Sequence, residues 1–222
     1  MRHTGSHVSP IFAALAVALA AALSLGPTPA RAMDHETLTL VALGDSLTAG
    51  YDLPARAAFP AVLERALRER GHDVRVINAG VSGDTAAGGL ARLDWSVPEE
   101  ADGVILALGA NDMLRGLDPE ATERTLREIV ERLERRSVSV MMVGMVAAPN
   151  MGEAYRARFD RIFPDIARDH DLLLYPFFLD GVIQQPGLML RDGIHPNEAG
   201  VERMVAQILP VVEDFIARID GP

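Results

Sequence analysis

Five short apolar runs punctuate the chain after residue 36: Thr37–Leu43, Asp73–Ala79, Gly103–Leu108, Ser137–Val146 and Asp171–Tyr175. Each is rich in Val, Ile or Leu and bounded by turn residues, so each predicts a strand. Most are continuous rather than alternating, the pattern of strands covered on both faces of a parallel sheet. Between them the apolar period changes to that of a helix. Ala57–Arg70 places Val62, Leu63, Ala66 and Leu67 on one face and stops at Gly71, a C′ residue. Asp118-Pro119-Glu120 supplies a cap, a first-turn proline and an acid for a helix reaching Arg136, with Leu126, Ile129, Val130 and Leu133 inward. Its Glu128–Arg132 and Glu131–Arg135 pairs describe a solvated face. Glu153–His170 and Asn197–Ile219 complete the set, the last interrupted by Pro210. Strands alternating with helices predict an α/β sandwich on a mainly parallel five-stranded sheet. Trp95 is expected to pack rather than to offer a ligand platform.

The first 32 residues have a different pattern. A short basic start precedes an uncharged apolar run from Ile11 to Leu25, then a small-residue end with Ala30 and Ala32. This predicts a secretory signal peptide cut after Ala32. A run of 15 residues, followed by Pro27 and Pro29, is short for a membrane span. The expected mature protein is a single domain over 33–222, periplasmic or secreted, with no stable membrane insertion.

Charge narrows the partners. Without Arg2 and Arg31, 19 basic residues face 31 acidic ones, a formal charge of −12. Such a surface repels phosphate backbones and anionic lipid, so no nucleic-acid partner is expected. The chain has no cysteine and no lysine. That excludes thiolate catalysis, Cys-ligated metals, Schiff bases and a Walker lysine. The expected protein is a monomer without cofactor or metal, acting on a small molecule.

In open α/β sheets, sites form beyond the carboxyl ends of the strands. The loops there read Gly44-Asp45-Ser46-Leu47, Asn78–Thr85, Gly109–Asp112 and Ala147–Gly152; Arg191–Gly200 precedes the last helix. Acyl transfer needs a hydroxyl, a base, a group orienting the base and donors for an oxyanion. Ser46 offers the hydroxyl and a backbone N–H. Gly80 allows a second N–H to approach closely, and Asn111 offers a neutral amide. Of the six histidines, His3 and His7 fall in the leader and His35 beside the new terminus. His72 and His170 lie at the wrong edge of the sheet, which leaves His195 as base with Asp192 three residues earlier to fix its tautomer. Taken singly, Ser46 reads as a helix cap, Gly80 as a turn glycine, and Asp192 as a turn stabiliser beside a surface histidine. Asp45 and Asp112 are expected to hold loops. Met145, Ala147, Pro149, Leu188, Met189 and Leu190 are candidates for an acyl groove, with loop packing as the competing role.

Together these segments resemble the SGNH, or GDSL-type, hydrolases. Gly44–Leu47 matches the first block, Gly80 the second, Gly109–Asp112 the third and Asp192–His195 the last, in order. The intervening wording, AGYDLP, VSGDTAAGGLARLDW and DGIHPNEAG, is similar to the secreted arylesterase and thioesterase–lysophospholipase subgroup. The resemblance implies a flavodoxin-like three-layer α/β/α sandwich. It also implies a serine esterase for aryl and medium-chain acyl esters, thioesters and lysophospholipids, with Ser46, Asp192 and His195 catalytic and Ser46, Gly80 and Asn111 as the oxyanion hole. A carbohydrate acetylesterase built on the same residues is the nearest alternative. A metal hydrolase using Asp45, Asp112, Asp192 and His195, and a binding protein without catalysis, are more distant ones.

Overall fold

Runs with no polar interruption form the middle of the sheet. In the computed structural model, which describes residues 1–3, 5 and 37–221, the apolar part of the expected leader and its cleavage point lie outside the described residues. The strands are β1 (Leu38–Gly44), β2 (Val74–Gly80), β3 (Gly103–Ala107), β4 (Ser139–Val143) and β5 (Leu173–Tyr175). They pair in parallel throughout, in the order β2-β1-β3-β4-β5. β1, β3 and β4 are buried almost end to end. The edge strand β2 instead alternates, with Val74 and Val76 buried and Arg75 exposed.

The helices are α1 (Ser46–Ala49), α2 (Phe59–Glu69), α3 (Ala86–Ala91), α4 (Leu93–Ser96), α5 (Ala110–Leu114), α6 (Pro119–Arg135), α7 (Glu153–Asp169) and α8 (Glu198–Ile219). α2 packs with α8, and α6 packs with α7 and α3. Right-handed crossovers on either side of β1 put these two groups on opposite faces, giving the α/β/α layers. The core is continuous across them and includes Leu40, Leu63, Ile105, Leu126, Phe159, Phe163 and Ile208.

The four long helices start and end within two residues of the sequence expectation. Asp118 caps α6 through Glu120 N–H at 3.3 Å, and Asn197 caps α8 through Gly200 N–H at 2.9 Å. The α6 pairs form as expected, Arg132–Glu128 at 2.6 Å and Arg135–Glu131 at 3.8 Å. Being exposed, each contributes at most about 1 kcal/mol.

Three strands are shorter than their apolar runs, β3 by one residue and β4 and β5 by two or more. β4 begins after Ser137, held at φ 58°, and β5 after Asp171, held at φ 52°. Beyond Val143 the apolar run continues as loop: Gly144 N–H still reaches Tyr175 O at 2.8 Å, but Ala147 N–H turns to the Asp160 carboxylate at 2.8 Å. The expectation for Trp95 is corrected. It lies on the single turn α4, whose inward positions are Leu93 and Ser96, and its side chain is 75% exposed.

Candidate active site

β1 and β2 end side by side at Gly44 and Gly80, which are register partners. A Cβ on Gly80 would overlap Ala49 N and Cα, and one on Gly44 would overlap the Thr48 side chain and Ala107 O. Two residues without side chains therefore let the one-turn helix α1 sit directly on the ends of β1 and β2. This is the point at which strand order reverses, where open α/β sheets place their ligands.

Asp45 caps α1: its Oδ1 accepts Leu47 N–H at 3.0 Å. The cap belongs to Asp45, so the Ser46 side chain is free to face outward. Ser46 Oγ lies 2.9 Å from His195 Nε2, across 149 positions of sequence. His195 Nδ1 lies 2.7 Å from Asp192 Oδ2. A carboxylate only accepts, so the proton sits on Nδ1 and Nε2 is left to accept from the serine hydroxyl. The other oxygen, Asp192 Oδ1, accepts Ile194 N–H at 2.9 Å and His195 N–H at 3.0 Å. The His195 backbone N–H, the His195 ring and the Ile194 N–H hold the Asp192 carboxyl down at about 2. It therefore remains ionised through any neutral working range.

The three expected oxyanion donors surround α1 but differ in their partners. Ser46 N–H, in the first turn of α1, has no acceptor among the described residues. Gly80 N–H donates to Asn78 Oδ1 at 3.0 Å, an exposed contact. Asn111 Nδ2, on α5 after β3, donates to Asp84 O at 2.9 Å and, at the longer distance of 3.3 Å, to Asp45 Oδ2.

Asp45 and Asp112 are the buried acids near these groups. Asp112 accepts from Ala86 N–H at 2.8 Å and from Thr122 Oγ1 at 3.2 Å, so it ties α5 to α3 and α6. Burial raises its pKa. Burial likewise pushes Asp45 up from 3.8 to about 6, against the lowering pull of Leu47 N–H, His195 and Asn111. A raised value means that the folded chain holds this proton more tightly than the unfolded chain. The contribution of Asp45 to stability is thus fully present at low pH and is lost as pH rises from about 4 to about 6, on the order of 3 kcal/mol. Asp45→Asn keeps an acceptor for Leu47 N–H and removes the charge. Its melting temperature relative to wild type should therefore be higher at pH 8 than at pH 4; an offset that does not change with pH would contradict this account.

Sequence reasoning missed two residues here. Tyr51 stacks on the His195 ring, with centroids 4.3 Å apart and planes 30° apart. Such a π-face favours an imidazolium. Asp84 supplies the carbonyl that holds Asn111. An aromatic five residues after the serine was visible in the sequence, whereas the Asp84 contact runs through backbone and left no trace there. The groove candidates divide. Met145, Ala147 and Met189 are core side chains, Leu188 and Leu190 are half-buried, and Pro149 is exposed. The first three belong to the buried core, so little of them is open to a ligand.

Among the described residues, no three His, Asp or Glu side chains group as a metal site, and no helix is long and apolar enough to cross a membrane. A family model for GDSL-like lipases and acylhydrolases matches residues 42–203. An arylesterase of Vibrio mimicus is 38% identical over 81% of this chain and 86% of its own length. The thioesterase 1/protease 1/lysophospholipase L1 of Escherichia coli K12 is 38% identical over 78% of this chain and 85% of its own. The crystal structure of AlinE4, an SGNH-hydrolase family esterase, superposes with a TM-score of 0.68 at 43% identity, covering 81% of this chain and 96% of that one. The matched span runs from the end of β1 into α8 and takes in every residue of the Ser46–His195–Asp192 chain; the protein belongs to the GDSL-like lipase/acylhydrolase family, the SGNH hydrolases.

Proposed function

We propose that the protein is a serine esterase acting through an acyl-enzyme. The observation that carries this is the unbroken hydrogen-bond chain Ser46 Oγ, His195 Nε2, His195 Nδ1, Asp192 Oδ2, at 2.9 and 2.7 Å. Ser46 Oγ attacks the acyl carbonyl as its proton passes to Nε2. The imidazolium faces an ionised Asp192 on one side and the Tyr51 ring on the other. Ser46 N–H, Gly80 N–H and the Asn111 amide take the oxyanion; the last two exchange their contacts to Asn78 and Asp45 for the substrate oxygen. His195 then returns its proton to the leaving group, activates water and restores Ser46.

The substrate is an ester or thioester with an apolar acyl or aryl part. Tyr51, Val81, Leu114, Leu117, Val146 and Ile194 are large apolar side chains exposed in the loops and short helix beyond the carboxyl ends of the strands. Exposed apolar surface gathered at a site marks an apolar ligand. The names of the relatives favour aryl and acyl esters over acetylated sugars. The apolar amino-terminal run supports export to the periplasm or beyond.

A panel of aryl esters, acyl thioesters, a lysophospholipid and an acetylated sugar, with a fluorophosphonate as probe, tests this. Ester turnover should be abolished in step with phosphonylation of Ser46, located by peptide mass. Full turnover by enzyme phosphonylated at Ser46, inactivation without label at Ser46, or turnover of the acetylated sugar alone would overturn the assignment.

A further inference from the structure

One buried guanidinium touches two of the loops that carry the proposed oxyanion donors and reaches the third donor through Asp84. Arg92, between α3 and α4, is 7% exposed. Its Nε donates to Asp84 Oδ2 at 2.6 Å, its Nη1 to Ser96 Oγ at 2.9 Å and its Nη2 to Gly44 O at 2.9 Å. Gly44 O is the last carbonyl of β1, two residues before Ser46, and it also accepts Val81 N–H at 3.0 Å, next to Gly80. Asp84 O, in turn, accepts the Asn111 amide at 2.9 Å.

We propose that Arg92 is a positioning residue for the oxyanion hole, fixing the Ser46, Gly80 and Asn111 donors relative to one another from behind. It rests on the reading of those groups as oxyanion donors. The guanidinium is suited to this work, because its planar fork addresses three acceptors in fixed directions at once. An ammonium in the same place reaches one of them. Asp84 holds the guanidinium by charge and Asn111 by its carbonyl, so a shift of Arg92 moves the amide directly. It reaches Ser46 and Gly80 through the shared carbonyl of Gly44.

Oxyanion donors act when charge develops, so their misplacement lowers kcat more than it raises KM. The experiment is a double-mutant cycle between Arg92→Met and Asn111→Ala, with kcat and KM measured on a short aryl ester and Tm recorded for each protein. Asn111→Ala alone should lower kcat roughly 10²- to 10³-fold. Arg92→Met should lower kcat roughly 10²-fold with KM little changed in the wild-type background. In the Asn111→Ala background the same change should cost less, roughly tenfold, since one of the three donors it positions is gone while the Gly44 carbonyl that sets the other two is still released. Arg92→Lys, which retains the charge beside Asp84, runs through the same cycle and decides the matter if the methionine variant does not fold; it too should lose kcat with KM held. Equal kcat losses in both backgrounds, or a lowered Tm with kcat intact, would overturn the role of Arg92. A full-activity Asn111→Ala enzyme would instead overturn the oxyanion reading beneath it.

Discussion

Ser46→Ala is expected to lower kcat on an aryl ester by on the order of 10⁶-fold. The fold gives no reason for a smaller effect. The cap of α1 is the Asp45 carboxylate, and among the described residues the Ser46 hydroxyl hydrogen-bonds only to His195. Alanine therefore removes the nucleophile and leaves α1, its N–H groups and Asn111 in place. What remains is the residual catalysis of a positioned oxyanion hole, roughly 10³- to 10⁴-fold over water. Substrate binding should be nearly unchanged and Tm should hold. A variant turning over within tenfold of wild type would mean that Ser46 is not the nucleophile.

Asp192→Asn is the next largest expected loss, roughly 10⁴-fold in kcat. Here the reason is the tautomer. One carboxylate oxygen of Asp192 is committed to the Ile194 and His195 backbone N–H groups. Asparagine must place its oxygen there, which turns its NH₂ toward His195 Nδ1. Nδ1 then has to accept, the ring proton moves to Nε2, and Nε2 faces Ser46 Oγ as a donor that cannot take the serine proton. The side chain changes by one group and the local turn survives. Crystallographic or NMR observation of a protonated Nε2, together with the kinetic loss, would establish the cause. Undiminished kcat would show that Asp192 only shapes the turn.

β1, β3, β4 and the long helices were legible because a continuous buried run, or three or more turns of a helix, leaves a pattern in the sequence, while β2 showed as an alternation of Val74 and Val76 with exposed Arg75. α1, α3, α4 and α5 are one or two turns long and leave none. The Asp118 cap was read correctly, since capping is local chemistry. The candidate site residues were chosen by topology: knowing which loops follow strands was enough to set aside His72 and His170. In the structure these two lie far from Ser46 in role as well, paired with Glu213 and Glu134. The groove was not legible. Met145, Ala147 and Met189 are apolar whether they line a cleft or fill a core, and only burial tells these apart. Arg92 was hidden for the opposite reason. Its partners include a backbone carbonyl 48 residues away, which no side-chain pattern records.

The three-residue separation of Asp192 and His195 has a consequence for folding. Their segment closes on itself: Leu190 N–H reaches His195 O at 2.8 Å, and Asn197 N–H reaches Leu188 O at 2.9 Å. The base and its orienting acid are thus assembled by contacts among near neighbours, which cost little loop entropy and form quickly. Only the contact to Ser46 spans the molecule. In a refolding chain, the return of hydrolysis therefore times the closure of that one long loop, and every earlier stage, however structured, is silent.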